Sequence, residues 1–187
     1  IQLGSRYIKP GDKIIISGSV GNHGIAVMAE RNGLTFEPPL LSDTAALNHL
    51  VALLLHEMPS SIHMMRDPTR GGVATTLKEI ALETGWALVL DEDTIPVPHA
   101  VRGACDLLGL DPLYVANEGI FVVFVEAERA DDALHMLRSH PLGKGAAVIG
   151  EVQAAEDRSK GMVLLKTSIG GTRIIDMLAG EQLPRIC

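Results

Sequence analysis

The chain has 187 residues, of which 47% are hydrophobic and 21% charged, and its formal net charge is −7. This is the composition of a globular protein, and the longest apolar run, near residues 50–55, is far shorter than the roughly 20 residues of a membrane span. The acidic balance and the scarcity of aromatic residues leave no basic track or stacking surface for nucleic acid. We therefore expect neither a membrane-spanning helix nor a nucleic-acid partner.

Strands are predicted where apolar runs are bounded by turn residues, and helices where apolar residues recur every three or four positions. In chain order the predicted elements are a strand over residues 13–17, helices over 25–32 and 43–57, a strand over 62–65, a helix over 73–84, a strand over 86–90, a helix over 98–108, a strand over 120–125, a helix over 130–137, strands over 146–152 and 162–166, and a last short helix over 174–178. Asp43 is the predicted N-cap of the second helix.

The irregular order of these elements favours an α+β fold, with a mixed, largely antiparallel sheet and helices on one face. The strands over 146–152 and 162–166 are close enough for an antiparallel connection. Because the sequence opens in mid-pattern without Met, we interpret residues 1–10 as a linker or the end of a preceding domain. Residues 11–179 are then one domain, and residues 180–187 are a flexible tail.

Cysteine and histidine are too sparse to predict a disulfide framework or a metal site. Cys105 and Cys187 are the only two cysteines, which suits a reducing cytoplasm. Three histidines recur every seven residues from His49, but Pro59 interrupts the helix before the third, and no carboxylate or thiol lies at ligand spacing among them. We therefore predict no zinc site.

The first candidate for chemistry is the turn at residues 18–24 (GSVGNHG), which follows the first predicted strand. Its glycines recur every third residue, which matches neither the dinucleotide-binding pattern nor the P-loop. Two interpretations stay open. The turn exposes backbone N–H groups to an anion with His23 beside them, or it is an ordinary turn whose histidine is satisfied by the protein.

The second candidate is the segment at residues 67–72 (DPTRGG), which precedes the predicted helix over 73–84. Two glycines at a helix start cost about 1 kcal/mol each relative to alanine, which favours a ligand or the sheet lying close to the backbone. Arg70 at the helix N-terminus suits a phosphate or carboxylate. In the alternative, Asp67 and Thr69 cap the helix and Arg70 pairs with Asp67.

Two further candidates are a carboxylate and a thiol. Glu118 lies in the sequence Asn117-Glu118-Gly119, just before a buried strand, where partial desolvation suits a proton acceptor; the alternative is a surface glutamate.

Residues from Gly180 onward have no core pattern and, if extended, carry Cys187 about 24 Å from the folded body. Such a thiol suits a movable carrier, and the alternative is an incidental last residue.

Four segments together resemble the HypE family of hydrogenase maturation proteins over nearly the whole chain. In the family's order they are GSVGNHG, DPTRGGVATTLKEIA, NEG and TSIGGTRIIDMLAGEQLPRIC. DPTRGG is shared with aminoimidazole ribonucleotide (AIR) synthetase and selenophosphate synthetase, whereas the ending PRIC is far more specific. The resemblance implies the C-terminal half of such a protein and a fold like the AIR synthase C-terminal domain.

The resemblance implies an ATP-dependent carbamoyl dehydratase. A HypF-like carbamoyltransferase would load the thiol of Cys187, and dehydration would give a thiocyanate that supplies cyanide to the [NiFe]-hydrogenase iron through HypC- and HypD-like partners. By motif match, Glu118 would be the base and Asn117 would orient the carbamoyl group. The residues that would line the site near the phosphates are His23, Asp67, Arg70, Gly71 and Gly72.

The same resemblance implies ATP and Mg²⁺ bound mostly by an N-terminal domain, a homodimer and a cytoplasmic location. We accordingly expect these 187 residues to be inactive by themselves. Two other functions stay open: another ATP-dependent enzyme of this superfamily that acts on a free small molecule, and a non-catalytic docking module whose tail binds a partner. The first has no use for a terminal thiol, and the second needs no modification of it.

Overall fold

A computed structural model describes residues 2–178 of the chain. Within this range it contains seven strands and five α-helices: β1 Lys13–Ile16, α1 Asn22–Asn32, α2 Asn48–Glu57, β2 Ile62–Arg66, α3 Gly72–Thr84, β3 Ala87–Asp91, α4 His99–Leu108, β4 Val122–Val125, α5 Ala130–Ser139, β5 Ala147–Gln153, β6 Val163–Lys166 and β7 Thr172–Ile175. None of these helices combines the length and the apolar character needed to cross a membrane.

The seven strands form one sheet in the order β2-β4-β1-β5-β3-β6-β7. Every neighbouring pair is antiparallel except β3 and β6, which are parallel, so the predicted mixed and largely antiparallel sheet is confirmed. The expected direct pairing of β5 with β6 is wrong. β3 lies between them because it pairs along one edge with β5 and along the other with β6.

Helices cover both faces of the sheet, which corrects the expectation of helices on one face. Ile14 and Ile16 of β1 pack on the side of α3, whereas Ile15 packs on the side of α2 and α5. The same alternation continues in β4, whose four residues are completely buried. Central strands that are apolar at every position must be covered on both faces, and here they are.

Two predictions at element boundaries are wrong. The predicted helix over 174–178 does not form, because Ile174 and Ile175 belong to β7, which completes the hydrogen bonds along the outer edge of β6. Asp43 is not the N-cap of α2, which begins only at Asn48 and has no side-chain cap. The residues before α2 instead form an irregular segment, in which Phe36 and Leu40 pack against the apolar cluster between α1 and α4.

A buried polar pair ties the start of the chain to the edge strand β2. His63 Nδ1 lies 2.6 Å from Asp12 Oδ2, and the same oxygen accepts a hydrogen bond from the backbone N–H of Lys9. Both side chains are less than 8% exposed. The third of the evenly spaced histidines therefore pairs with an aspartate inside the protein.

Candidate functional site

Three sequence motifs that are far apart in the chain meet at the side chain of Asn117. Its Oδ1 accepts a hydrogen bond from the Gly21 N–H at 2.7 Å, and its Nδ2 donates to the Pro68 carbonyl at 3.1 Å and to the Val115 carbonyl at 3.0 Å. Asn117 is completely buried. We call the place where residues 18–24, 67–72 and 117–119 converge the loop junction.

Glycine permits the close approach of backbone that the loop junction requires. The evenly spaced glycines of the first motif each lie against the segment that precedes β4, and the Gly24 N–H donates to the Ala116 carbonyl at 3.0 Å. A Cβ at Gly72 would collide with the carbonyl oxygens of Leu113 and Val115. The regular spacing of the glycines is thus explained by packing against one neighbouring segment.

The second motif leaves the start of α3 open. The N-cap is Gly71, which like Gly72 has a positive φ, and no side chain caps the helix. The alternative in which Asp67 and Thr69 cap the helix is therefore wrong. Asp67 and Arg70 are both exposed and form no ion pair with each other, while Thr75 Oγ1, buried against Gly71, has no hydrogen-bond partner in the described range.

Glu118 lies at the edge of the loop junction and is partly buried. Its backbone N–H donates a hydrogen bond to Asp43 Oδ1 at 3.2 Å. Gly119 follows, and a Cβ there would collide with the Asp43 carbonyl oxygen, so the two backbones are in direct contact. The backbone that carries the predicted Glu118 carboxylate is thus held by the side chain of a second acid, Asp43, which the sequence predicted to be a helix cap.

His23 stands on the first turn of α1 and faces the same segment of chain. Its Nδ1 lies 2.9 Å from Ser42 Oγ, which in turn lies 2.7 Å from Thr44 Oγ1. Its Nε2 is buried without a partner among residues 2–178. The histidine is thus neither fully satisfied by the protein nor free in solvent.

Residues 42–44, which we call the 42–44 segment, are the part of this site that the sequence did not indicate. Asp43 was interpreted as a helix cap because a polar residue before an apolar helical pattern is the usual signal for one. In the structure the polar run Ser42-Asp43-Thr44 ends several residues before the helix begins, and no local pattern in the sequence indicated this.

Of the two cysteines, only Cys105 lies within the described residues. Cys105 is buried in α4, where burial and the nearby Asp111 and Asp106 carboxylates raise the pKa of its thiol to about 11. A thiol with so high a pKa is a packing residue at neutral pH. Cys187, the predicted carrier, lies outside the described residues. Within the described range, no cluster of three or more His, Cys, Asp or Glu side chains could bind a metal ion.

The fold of this domain also occurs in an enzyme with little sequence similarity to this chain. Thiamine monophosphate kinase from Aquifex aeolicus has the same fold, with a TM-score of 0.58 at 14% sequence identity. Residues 9–161 match the family model described as AIR synthase related protein, C-terminal domain. The chain therefore belongs to this family.

Within the family, the chain is similar to carbamoyl dehydratase HypE, which confirms the resemblance seen in the sequence. It is 49% identical to the HypE of Azotobacter vinelandii over 187 residues, which are 100% of this chain and 54% of that protein. It is 42% identical to the HypE of Escherichia coli over the same length, again 54% of that protein. The chain spans about half the length of these relatives.

Solved HypE structures share the fold closely. A crystal structure of hydrogenase maturation protein HypE in complex with ATP has a TM-score of 0.92 and 45% identity, and the match covers 99% of this chain and 55% of that one. A crystal structure of a HypE–HypF complex matches with a TM-score of 0.87 and 41% identity, over 94% of this chain and 56% of that one.

Proposed function

We propose that this chain is the C-terminal domain of a HypE-type carbamoyl dehydratase, in which residues 1–10 lead from an N-terminal domain and residues 180–187 carry the reacting thiol. The observation that carries the proposal is the loop junction. Three motifs that the sequence shares with HypE meet there around Asn117, although they are up to 96 residues apart. The PRIC ending adds the thiol that such a reaction needs.

The proposed reaction converts the carbamoyl thioester of Cys187 into a thiocyanate. The carbamoyl oxygen is a poor leaving group until ATP phosphorylates it, and it then departs within inorganic phosphate. Both N–H protons are lost as the carbon–nitrogen bond becomes triple, so the balanced products are the thiocyanate, ADP, hydrogen phosphate, which carries one of these protons, and one released proton. A base beside the nitrogen is the protein's main chemical contribution.

We assign the base to Glu118. Glu118 is a partly buried residue at the edge of the loop junction, and its backbone is fixed by a hydrogen bond to Asp43. A general base needs such a fixed position relative to the proton that it removes. Asn117 has both N–H donors engaged by carbonyls of the protein, so we propose that it orients the carbamoyl group indirectly, by fixing the three motifs.

The phosphate side of the site is proposed at the start of α3. A helix N-terminus without a capping side chain presents backbone N–H groups that favour an anion, and the unpaired Thr75 hydroxyl adds a donor. Arg70 is exposed beside it and makes no salt bridge with Asp67. We propose that Gly71, Gly72, Arg70, Asp67 and His23 line the path of the ATP phosphates, with Mg²⁺ accompanying the nucleotide.

The proposal includes partners and location. A HypF-like carbamoyltransferase would load Cys187, and this is supported by the HypE–HypF complex among the similar structures. HypC- and HypD-like proteins would accept the cyanide. A homodimer and a cytoplasmic location, both implied by the resemblance to the HypE family, complete the proposal.

The test is the replacement of Glu118 by Gln in the full-length protein that carries this chain. After loading by the carbamoyltransferase, we expect Glu118→Gln to form cyanated Cys187 at least about 100-fold more slowly, because general-base catalysis contributes that much or more. Mass spectrometry of the C-terminal peptide distinguishes the free, carbamoylated and cyanated thiol.

The matched control is Glu83→Gln, which neutralises an exposed glutamate of α3 and should leave the rate unchanged. Cys187→Ala must abolish both the modification and the carbamoyl-dependent hydrolysis of ATP. Full activity in the Cys187→Ala variant would instead favour an enzyme acting on a free small molecule. Capture of the transferase without modification of Cys187 would favour a docking module.

A further inference from the structure

The turn that carries Glu118 is attached to the protein on two sides. On one side Asn117 is fixed by three hydrogen bonds within the loop junction. On the other side Asp43 accepts a hydrogen bond from the Glu118 N–H, and the Asp43 carbonyl lies against Gly119. Asn117 has a role in the proposed function, whereas that function assigns none to Asp43.

The environment of Asp43 is unusual for an acid that merely terminates a loop. Its Oδ1 is used by Glu118, while its Oδ2 is buried and has no hydrogen-bond partner in the described part of the chain. Leaving a carboxylate oxygen buried and unpaired has a cost in free energy, so the side chain is not placed there for stability alone. Its neighbours Ser42 and Thr44 connect the 42–44 segment to His23.

We propose that Asp43 is a positioning residue for the base Glu118. The inference rests on the proposed function, which it extends to the 42–44 segment. The residue after Glu118 is a glycine with no side chain to restrict the turn, so the bond from the Glu118 N–H to Asp43 fixes the backbone from which the carboxylate extends. A base must come within about 3 Å of the atom that carries the proton it removes, and a displacement of about 1 Å can reduce a rate by about 100-fold.

The experiment compares Asp43→Ala and Asp43→Asn in the full-length, carbamoylated protein by single-turnover formation of the cyanated thiol. We expect Asp43→Ala to lower the rate by about 10- to 100-fold while the KM for ATP stays within about twofold. Asp43→Asn keeps an oxygen that can accept from the Glu118 N–H, so we expect it to recover most of the rate. Asp93→Ala, which removes an exposed carboxylate, is the matched control and should have no effect.

A double variant separates positioning from a general effect on folding. If Asp43 acts through Glu118, adding Asp43→Ala to Glu118→Gln should slow the reaction no further, because the positioned base is already gone. Amide hydrogen exchange of Glu118 should also accelerate at least about tenfold in Asp43→Ala and much less in Asp43→Asn.

Three outcomes would overturn the inference while the proposed function stands: a normal rate in Asp43→Ala, rate losses that multiply fully in the double variant, or a raised KM for ATP at unchanged kcat. A full-length wild-type protein that never forms the cyanated thiol would overturn the proposed function itself and this inference with it. The Glu118 exchange measurement then still reports whether the hydrogen bond between the two residues exists.

Discussion

Asn117 shows how much a single side chain can organise when all its hydrogen-bonding groups are used inside the protein. Its amide connects Gly21, Pro68 and Val115, and no part of it reaches solvent. The sequence indicated Asn117 and its neighbour Glu118 through their position before a buried strand. It could not indicate the partners, because two of them are 96 and 49 residues away and hydrogen bonds over such distances leave no local pattern.

At the same scale, breaking the buried Asp12–His63 pair should cost far more stability than breaking the partly exposed Lys13–Glu151 pair beside it. Asp12→Ala leaves a buried imidazole and the Lys9 N–H without their acceptor, so we expect the free energy of unfolding to fall by about 3 kcal/mol. Glu151→Ala breaks a pair whose side chains are 34% and 36% exposed, and it should cost less than about 1 kcal/mol.

Urea unfolding of the two variants at neutral pH measures the difference. Equal losses would mean that the buried pair adds nothing beyond what a solvated pair provides. The two pairs include neighbouring residues of the chain, Asp12 and Lys13, so both variants report on the same part of the fold.

At the scale of elements, most helices and strands could be predicted from their apolar patterns, and α3 and α5 begin within one residue of their predicted starts. The failures occurred where tertiary contacts override a local signal. Asp43 has the residue type of a helix cap but bonds to Glu118, and residues 172–175 become a strand because β6 offers an unpaired edge. Neither partner could be read from neighbouring residues.

The contact between the 42–44 segment and the turn at Gly119 makes a prediction about glycine. Gly119→Ala places a methyl group against the Asp43 carbonyl, so we expect a loss of about 1 to 3 kcal/mol in the free energy of unfolding. Gly103→Ala is the matched control: it lies within α4, its added Cβ would meet nothing within 4 Å, and alanine should stabilise the helix by about 0.5 to 1 kcal/mol.

Chemical denaturation of both variants gives the comparison directly. We expect the free energy of unfolding to fall in Gly119→Ala and to rise in Gly103→Ala. A neutral Gly119→Ala would show that the 42–44 segment moves aside at no cost, and the close contact would then have no structural importance.

At the scale of the whole molecule, the sequence predicted the fold class but not the order of the strands. β3 pairs with β5 and β6, and β1 pairs with β4 and β5, so every central pairing joins residues that are distant in sequence. Period-two and continuous apolar patterns identify a strand, but they carry no information about which strand lies beside it. The helices on the second face followed from the apolar character of β1 and β4, which a one-face arrangement would have left in contact with water.

This architecture predicts a gradient of protection across the sheet. The amides of β1 and β4, where Ile14–Ile16 and Val122–Val125 are completely buried, should exchange with solvent only through global unfolding. β7 is an edge strand with three of its four residues exposed, so its amides should exchange at least about 100-fold faster. Native-state hydrogen exchange by NMR measures both, and uniform rates would argue against a core centred on β1 and β4.

The long-range bonds of Asn117 also determine when the site can exist during synthesis. Gly21 and Pro68 leave the ribosome well before their shared partner, and β1 must wait more than 100 residues for β4. A nascent chain that stops short of residue 117 therefore has the glycine motifs but nothing to bring them together. Any translational pause before that point leaves an unassembled intermediate with the apolar β1 uncovered, which is the stage at which a chaperone would be needed most.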